Sequence, residues 1–274
     1  MFSIPGASWP YKLNINDLEK EKLSDLYFKF KERSLANFDR VCALKPHLLS
    51  EEVYKLATKE EILNHIEKLI GPNINIWSSA FFVKEPHNNK YVGFHQDAPY
   101  WQLSSPKVVT AWIALSDSLK QNGCLQFIES SADATKSIHP LDVDDAYSTY
   151  KKGLKTTEED DLISYKQLIP KKYLNNNRYY VELNSGEFSL HDISVIHGSD
   201  RNDSENYRIG FAVRYIDSNT FHLKDKKDTA LNVRGYKSKY LSNEKKPSGE
   251  FSPANILNYN EFIKSAGGFG NKSY

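Results

Sequence analysis

The chain has 274 residues, 39% of them hydrophobic, which is enough for one full-sized domain and too few for two. Its 36 basic and 35 acidic residues leave a net charge of +1, so no overall field would draw it to nucleic acid or to an anionic membrane. Two distant cysteines, Cys42 and Cys124, indicate no disulfide framework. With no leader-like start and no apolar run of membrane-spanning length, we expect a single cytoplasmic domain.

Helical signals dominate about residues 1–72. Asn16-Asp17 is a predicted N-cap for a helix whose apolar residues recur at helical spacing, namely Leu18, Leu23, Leu26, Tyr27 and Phe30. A second helix is predicted from Lys59 to Leu69, with Ile62, Ile66 and Leu69 facing inward and Gly71-Pro72 ending it.

Strand signals take over in residues 73–217. The predicted strands lie at residues 74–83, 108–115, 125–128, 178–183, 187–190 and 209–215. The segment Val108–Leu115 is almost continuously apolar, which is typical of a strand buried on both faces. Short helices followed by many short strands predict a mainly β protein with flanking helices, built on a double-stranded β-helix (a cupin-like jelly roll).

Two segments lie outside this predicted core. Residues 133–177 are polar, with acidic clusters at Asp142, Asp144, Asp145 and residues 158–161. Such a run is usually a solvated loop or helix face, and its place between the two halves of the core also suits a lid. Residues 218–274 are predicted to be a loop-rich or lid region with one helix near 255–263.

The pair His95 and Asp97 is followed about a hundred residues later by His197 and then by Arg208. Side chains two residues apart on a strand point the same way, so His95 and Asp97 can face one ion while the residue between them faces away. Two histidines and a carboxylate on one face are the pattern that binds Fe(II) and leaves positions open. Zinc accepts the same ligands, but a zinc site has no need of Arg208.

These residues belong to two longer blocks, residues 81–131 and 186–215. The first block reads His-Gln-Asp-Ala-Pro-Tyr-Trp from His95 and Thr-Ala-Trp-Ile-Ala-Leu from Thr110. The second reads Gly-Glu-Phe-Ser-Leu-His up to His191 and then His-Gly-Ser from His197. Together the blocks resemble the phytanoyl-CoA dioxygenase superfamily of Fe(II)- and 2-oxoglutarate-dependent oxygenases, in particular its bacterial small-molecule branch.

The resemblance implies a catalytic iron centre with three protein ligands, His95, Asp97 and His197, and with 2-oxoglutarate and O2 as co-substrates. Arg208 would hold the distal carboxylate of 2-oxoglutarate through its planar fork, helped by Ser199. Trp112 and Gln96 would lie beside the co-substrate. Halogenating relatives replace the carboxylate ligand by Ala or Gly, so an aspartate here implies hydroxylation rather than chlorination.

Further residues are predicted to bind the substrate: Tyr100, Trp101, Lys84, His191, Arg214 and Arg234. Their mixture of aromatic and basic groups favours a small polar, anionic or zwitterionic molecule over a long acyl chain, which would need a continuous apolar channel. Packing roles remain open for Tyr100, Trp101 and Trp112, and a surface ion pair remains open for Arg214. Arg234 is expected in a late loop over the mouth of the barrel.

The leading hypothesis is a dioxygenase that hydroxylates an unactivated C–H bond of a small polar metabolite, for example in the tailoring of a cylindrospermopsin-type alkaloid. The same ligands would also serve desaturation, cyclisation or epimerisation, and the family's other substrates include aminoethylphosphonates and acyl-CoA. A different class is a metal-binding jelly-roll protein without catalysis. Arg208 argues against that class, because a pure binder has no need of a co-substrate clamp.

Overall fold

The computed structural model describes residues 1–33, 42, 44–101, 103–129, 161, 169, 171–223 and 228–265. Most of the polar segment at 133–177, including its acidic clusters except Asp161, lies outside these residues. Cys42 and Cys124 are both buried thiols. Within the described part of the chain, no helix is long and apolar enough to cross a membrane.

The helices, in chain order, are α1 (Asp17–Glu21), α2 (Asp25–Glu32), α3 (Glu51–Ala57), α4 (Glu60–Ile70), α5 (Ala98–Trp101), α6 (Lys171–Leu174) and α7 (Pro253–Ser265). The strands are β1 (Phe2–Ile4), β2 (Ala7–Lys12), β3 (Ile74–Lys84), β4 (Val92–His95), β5 (Val108–Ala114), β6 (Leu125–Ile128), β7 (Arg178–Val181), β8 (Glu187–Asp192), β9 (Ile196–Ser199), β10 (Arg208–Asp217), β11 (Thr229–Arg234) and β12 (Ser242–Asn243). Short 3₁₀ turns lie at Pro46–Leu48 and Lys120–Asn122.

The described strands form two sheets. The larger has the strand order β1-β2-β8-β5-β10-β3-β11-β12, and the smaller has the order β4-β9-β6-β7. Neighbouring strands are antiparallel except for β11 and β12. Antiparallel sheets whose neighbours are distant in sequence are the arrangement of a jelly roll. The predicted fold class, mainly β with flanking helices, is therefore confirmed.

The two faces of the larger sheet have different partners. Phe211 and Val213 of β10 belong to a core shared with α2, α3, α4 and α7. Ala212, between them, packs instead with Phe127 of the smaller sheet. Because side chains alternate along a strand, every second residue of β3, β5, β8 and β10 looks toward the smaller sheet. We call this side of the larger sheet the inner face.

The N-terminal part contains strands as well as helices. β1 and β2 extend the larger sheet, with β2 paired to β8. They were not predicted, since Pro10 and the polar residues around it break the usual strand pattern. The helix predicted from Asn16 is divided into α1 and α2; Asn16 caps it as expected, but Leu18 is 59% exposed.

The helix predicted at 59–69 is α4, and its inward face differs by one residue from the prediction. Ile62 and Ile66 are buried as expected, whereas Leu69 is exposed and Ile70 is buried in its place. The three isoleucines follow four-residue spacing, which keeps them on one helix face. Near the C-terminus, the helix predicted at 255–263 is present as α7.

Candidate active site

Strands β4 and β9 bring the predicted metal ligands together. The two strands are antiparallel neighbours, and His95 lies opposite His197 in their register. Asp97 follows shortly after His95, and its Oδ1 lies 3.7 Å from Nε2 of that histidine. One ligand atom from each of these three buried residues lies within 4.8 Å of the others. Two imidazoles and one carboxylate at this spacing suit a single ion with open positions.

The segment that carries Asp97 lies beyond the end of β4, so the aspartate is not on an extended strand as predicted. Two backbone N–H groups of α5 donate to the Asp97 carbonyl oxygen at 3.0 and 3.2 Å. The N–H of Ala98 donates to the carbonyl of Ile193 at 2.9 Å, and the Gln96 side-chain amide donates to the carbonyl of Ser194. These bonds tie the carboxylate segment to the turn before β9, which carries the second histidine.

Backbone carbonyl groups set the orientation of both imidazoles. Nδ1 of His95 donates to the carbonyl of Gly93 at 2.9 Å, and Nδ1 of His197 donates to the carbonyl of Val195 at 2.9 Å. A proton on Nδ1 leaves the lone pair on Nε2. Both rings therefore offer Nε2 as a ligand, held in place as metal-binding histidines usually are.

Asp97 and His197 have the protonation states that a metal requires. Burial alone would raise the pKa of Asp97, but contact with His95 and the charges of His197 and Arg214 outweigh it and hold this pKa below its usual value. Burial, aided by His95, lowers the pKa of His197 to about 4. At neutral pH, Asp97 is thus a carboxylate and His197 is neutral, as metal ligands must be.

A second polar cluster joins Arg208 and Lys84 of the inner face to Ser199 of β9 in the smaller sheet. Lys84 lies opposite Arg208 in the register of β3 and β10. Its Nζ donates to Oγ of Ser199 at 2.8 Å and to the carbonyl of Asp200. Nη1 of Arg208 donates to the carbonyl of Phe82 at 3.2 Å, while its Nε has no hydrogen-bond partner in the described part of the molecule.

This cluster brings two basic side chains together in a buried place. Lys84 has no exposed surface and Arg208 is 3% exposed. Burial and repulsion from Arg208 lower the pKa of Lys84 to about 6, and burial lowers the pKa of Arg208 to about 10. Buried basic groups of this kind are stabilised by an anionic partner. Lys84, predicted to contact the substrate, therefore lies with the residues predicted to hold the co-substrate.

Trp112, which the resemblance implied would lie beside the co-substrate, lies in the same region. Its ring centre is 5.4 Å from the guanidinium carbon of Arg208, and its indole lies against Gly210. A Cβ atom at Gly210 would come within 2.0 Å of Cζ2 of Trp112. The glycine therefore leaves room for the indole against β10, beside Arg208.

A row of polar residues crosses the inner face on the other side of Trp112. Thr110 of β5 pairs with His191 of β8 and with Arg214 of β10. His191 lies near the metal ligands, with its ring centre 4.8 Å from that of His197. Each of the three residues in the row has a buried polar atom without a hydrogen-bond partner among the described residues, namely Thr110 Oγ1, His191 Nδ1 and Arg214 Nε.

The aromatic residues that follow the metal-binding segment form a wall beside this row. The ring centre of Tyr100 lies 6.2 Å from that of His95. Trp101 packs edge-on against Trp77 at 5.3 Å, and the guanidinium carbon of Arg214 lies 5.5 Å from the Trp101 ring. Tyr100 and Trp101 therefore both pack and border the site, so the two predicted roles are compatible.

Arg234 lies elsewhere. It belongs to β11 rather than to a loop, and it pairs with Ile74 at the end of β3 opposite to Lys84. Its guanidinium donates to Glu60, to Glu67 at 2.5 Å and to Asn64 at 3.0 Å, all on α4. The expectation of a loop over the barrel mouth is wrong, because these contacts hold Arg234 on the helix-covered side.

The side-chain amide of Gln96, between the two metal ligands of this segment, supports the turn at Ser194. Thr110 and Ser189 were not singled out from the sequence. Both have buried hydroxyl groups without a hydrogen-bond partner in the described part of the chain. Thr110 could have been found from its position two residues before Trp112, which places both on one strand face.

The sequence has relatives of known classification. It matches the phytanoyl-CoA dioxygenase (PhyH) family over residues 14–210. It is 27% identical over 177 residues to the peroxisomal phytanoyl-CoA dioxygenase of Bos taurus, covering 63% of this chain and 48% of that protein. The human enzyme is 23% identical over 187 residues, covering 67% and 51%. The chain thus spans about half the length of these curated relatives.

Solved structures share the fold. The apo form of the non-heme monooxygenase ThoJ superposes with a TM-score of 0.76 at 21% identity, covering 95% of this chain and 92% of that one. CytC3 with Fe(II) and α-ketoglutarate gives 0.62 at 19%, covering 90% and 92%. The epimerase SnoN, in complex with Fe3+, α-ketoglutarate and nogalamycin RO, gives 0.58 at 17%, covering 78% and 80%. With the match over residues 14–210, the chain belongs to the phytanoyl-CoA dioxygenase family of Fe(II)/2-oxoglutarate-dependent oxygenases.

Proposed function

We propose that this protein is an Fe(II)/2-oxoglutarate-dependent dioxygenase that hydroxylates an unactivated C–H bond of a small polar metabolite. The observation that carries the proposal is the position of two clusters on facing surfaces of the jelly roll. One offers two Nε2 atoms and a carboxylate within 4.8 Å of each other. The other is a buried basic cluster around Arg208, with a guanidinium nitrogen that lacks a partner among the described residues.

The residues fit iron. His95 and His197 are oriented through Nδ1, Asp97 is anionic, and three protein ligands leave open positions for a chelating co-substrate and O2. When Fe(II) and 2-oxoglutarate are bound, this centre supplies an oxidant for C–H bonds together with decarboxylation of the co-substrate. Zinc would accept the same three ligands, but it would leave the basic cluster without a use.

The remaining residues position the co-substrate and keep the site dry. The planar fork of Arg208 suits two parallel hydrogen bonds to the distal carboxylate of 2-oxoglutarate. Lys84 and Ser199, already joined at 2.8 Å, lie where they can donate to the same carboxylate. Trp112, buried beside Arg208, would shield the bound co-substrate from water.

The type of oxidation is inferred from the ligand set. Asp97 occupies the position where a halogenase needs room for chloride, which favours hydroxylation. Related folds include the epimerase SnoN and the carbocyclase SnoK from nogalamycin biosynthesis, so epimerisation and cyclisation are the alternatives for the same centre. A role in natural-product tailoring, of which a cylindrospermopsin-type alkaloid is one example, is part of the proposal.

Release of succinate from 2-oxoglutarate tests the proposed class. Purified protein with Fe(II), ascorbate and O2 should produce succinate, and Asp97→Ala should abolish both succinate release and tight Fe(II) binding, because one anionic ligand is lost. Asp203→Ala is the matched control, since Asp203 is an exposed carboxylate paired with Arg201. Incubation with a metabolite extract, searched by mass spectrometry for a gain of one oxygen, would then identify the product. Wild-type activity in a metal-replete Asp97→Ala protein would contradict the assignment.

A further inference from the structure

Arg214 is a charged residue of the inner face whose guanidinium has a buried nitrogen without a hydrogen-bond partner among the described residues. It lies six residues after Arg208 on β10, on the same face, which corresponds to about 20 Å along a strand. Its backbone neighbour across the sheet is Thr110. Because of this distance, a carboxylate held by Arg208 lies out of reach of Arg214.

The guanidinium of Arg214 makes no hydrogen bond or ion pair with another residue that the structure describes. Its Nε is fully buried and unpartnered, and aromatic rings flank the group, with Trp101 at 5.5 Å and Phe82 at 5.7 Å from its central carbon. Asp97 is near enough to interact by charge, but its carboxylate faces His95. A partly buried cation with an unpaired nitrogen is costly when no anion is hydrogen-bonded to it.

The sum of the charges expected in the loaded site indicates what kind of partner Arg214 lacks. A divalent metal ion carries two positive charges, while the Asp97 carboxylate carries one negative charge and 2-oxoglutarate two. With the guanidinium of Arg208 these charges sum to zero, so the charge of Arg214 is left over. Protonation of Lys84 would increase the positive excess. An anionic group on the substrate is the component that would remove it.

We propose that Arg214, together with the Thr110 hydroxyl beside it, binds a carboxylate or another small oxyanion of the substrate. This inference rests on the proposed function and specifies its substrate class as small organic anions. Arg214 and Thr110 can donate to the anion, and His191 completes the polar row near His197. The flanking rings of Trp101 and Phe82 would cover the apolar part next to the anion. The C–H bond to be oxidised would then lie near that anionic group, because His191 of the same row has its ring centre 4.8 Å from that of the metal ligand His197.

Titration with acetate tests the anion site without turnover. The protein is loaded with Ni2+ in place of iron and saturated with 2-oxoglutarate, and acetate or its neutral isostere acetamide is added at constant ionic strength in a calorimeter. Acetate should bind at least tenfold more tightly than acetamide. Arg214→Gln should weaken acetate binding at least tenfold, and Arg214→Lys, which keeps the charge but not the fork, should weaken it less.

Two further variants complete the test. Arg201→Gln removes an exposed arginine and should bind acetate as the wild type does. Thr110→Val keeps the side-chain volume and should weaken acetate binding severalfold, which gives a second measurement if Arg214→Gln does not fold.

Three results would overturn the proposal: equal binding of acetate and acetamide, wild-type acetate affinity in Arg214→Gln, or a loss of 2-oxoglutarate affinity in that variant as large as in Arg208→Gln. Succinate release by the wild type is measured separately. Acetate binding without succinate release would contradict the proposed function alone, whereas succinate release without acetate binding would contradict the anion site alone.

Discussion

Replacing Gly210 by alanine tests whether Trp112 is held by the shape of β10. The added Cβ would lie 2.0 Å from Cζ2 and 2.5 Å from Cε2 of the indole, whereas carbon atoms in contact prefer about 3.5–4.0 Å. The backbone of Gly210 is not in the left-handed region, so alanine costs nothing in backbone conformation. Any loss of stability in Gly210→Ala would therefore come from the clash with the indole, which must move by well over an ångström.

Overpacking of this kind costs about 1–3 kcal/mol, which corresponds to a fall in Tm of about 2–4 °C for each kcal/mol in a domain near this size. The displaced indole would also enter the space beside Arg208, 5.4 Å away. We therefore expect a raised KM for 2-oxoglutarate with little change in Fe(II) affinity, because the metal ligands lie on the smaller sheet and the segment that follows it.

A double-mutant cycle isolates the clash. Trp112→Leu removes the indole atoms that a Cβ at position 210 would meet, so Gly210→Ala should be less destabilising in that background by about 1–3 kcal/mol. Urea unfolding of the four proteins gives the free energies, and succinate release gives the KM values. An equal loss of unfolding free energy from Gly210→Ala in both backgrounds would contradict this prediction, because the loss would then come from the backbone or from another neighbour.

Three further predictions concern charged residues. Arg208→Lys keeps the charge but loses the planar guanidinium fork. The KM for 2-oxoglutarate should therefore rise at least tenfold, with metal affinity little changed. Weaker metal binding with an unchanged KM would show that the register of β10 is misassigned. Because the pKa of Lys84 falls from 10.5 to about 6 on folding, the unfolded chain binds more protons between these values and stability rises with pH across that window. Urea unfolding from pH 6.5 to 9 should therefore show a shallower rise in Lys84→Met than in the wild type, and identical slopes would contradict the shift. Glu244→Gln should destabilise the protein by about 3–5 kcal/mol, because it removes the anionic partner of the buried Lys45. The control Glu52→Gln breaks the half-exposed pair with Lys29 and should destabilise it by only about 0–1 kcal/mol. Equal losses of stability in the two variants would argue against a stabilising role of the buried pair.

The sequence predicted well what depends on spacing along one strand. Arg208 and Arg214 are six residues apart on β10, so alternation alone places both on one side of the strand. The apolar segment at 108–115 likewise appears as the fully buried strand β5. In each case the physical cause is local and can be read without knowing which strands are neighbours.

The positions of residues that depend on pairing between distant strands could not be predicted from spacing along the sequence. Lys84 joins Arg208 only because β3 lies beside β10 with these residues in register. Arg234 was expected near the site for its charge, yet its strand meets the opposite end of β3, where Glu60 and Glu67 neutralise it. In both cases the basic side chain suggested that the residue binds an anion, but the register between strands determined which part of the molecule it lies in.

The extent of the larger sheet has a practical consequence for protein production. A fragment cut to the family match, residues 14–210, would lack β1 and β2 and leave β8, the strand that carries His191, as an open edge with unpaired backbone groups. Its other boundary would fall inside β10, keeping Arg208 and discarding Arg214 together with the rest of the pairing to β3 and β5. Such a fragment would expose aggregation-prone strands and half of the candidate site. Expression boundaries are better drawn from strand pairing, from Phe2 to at least Arg234.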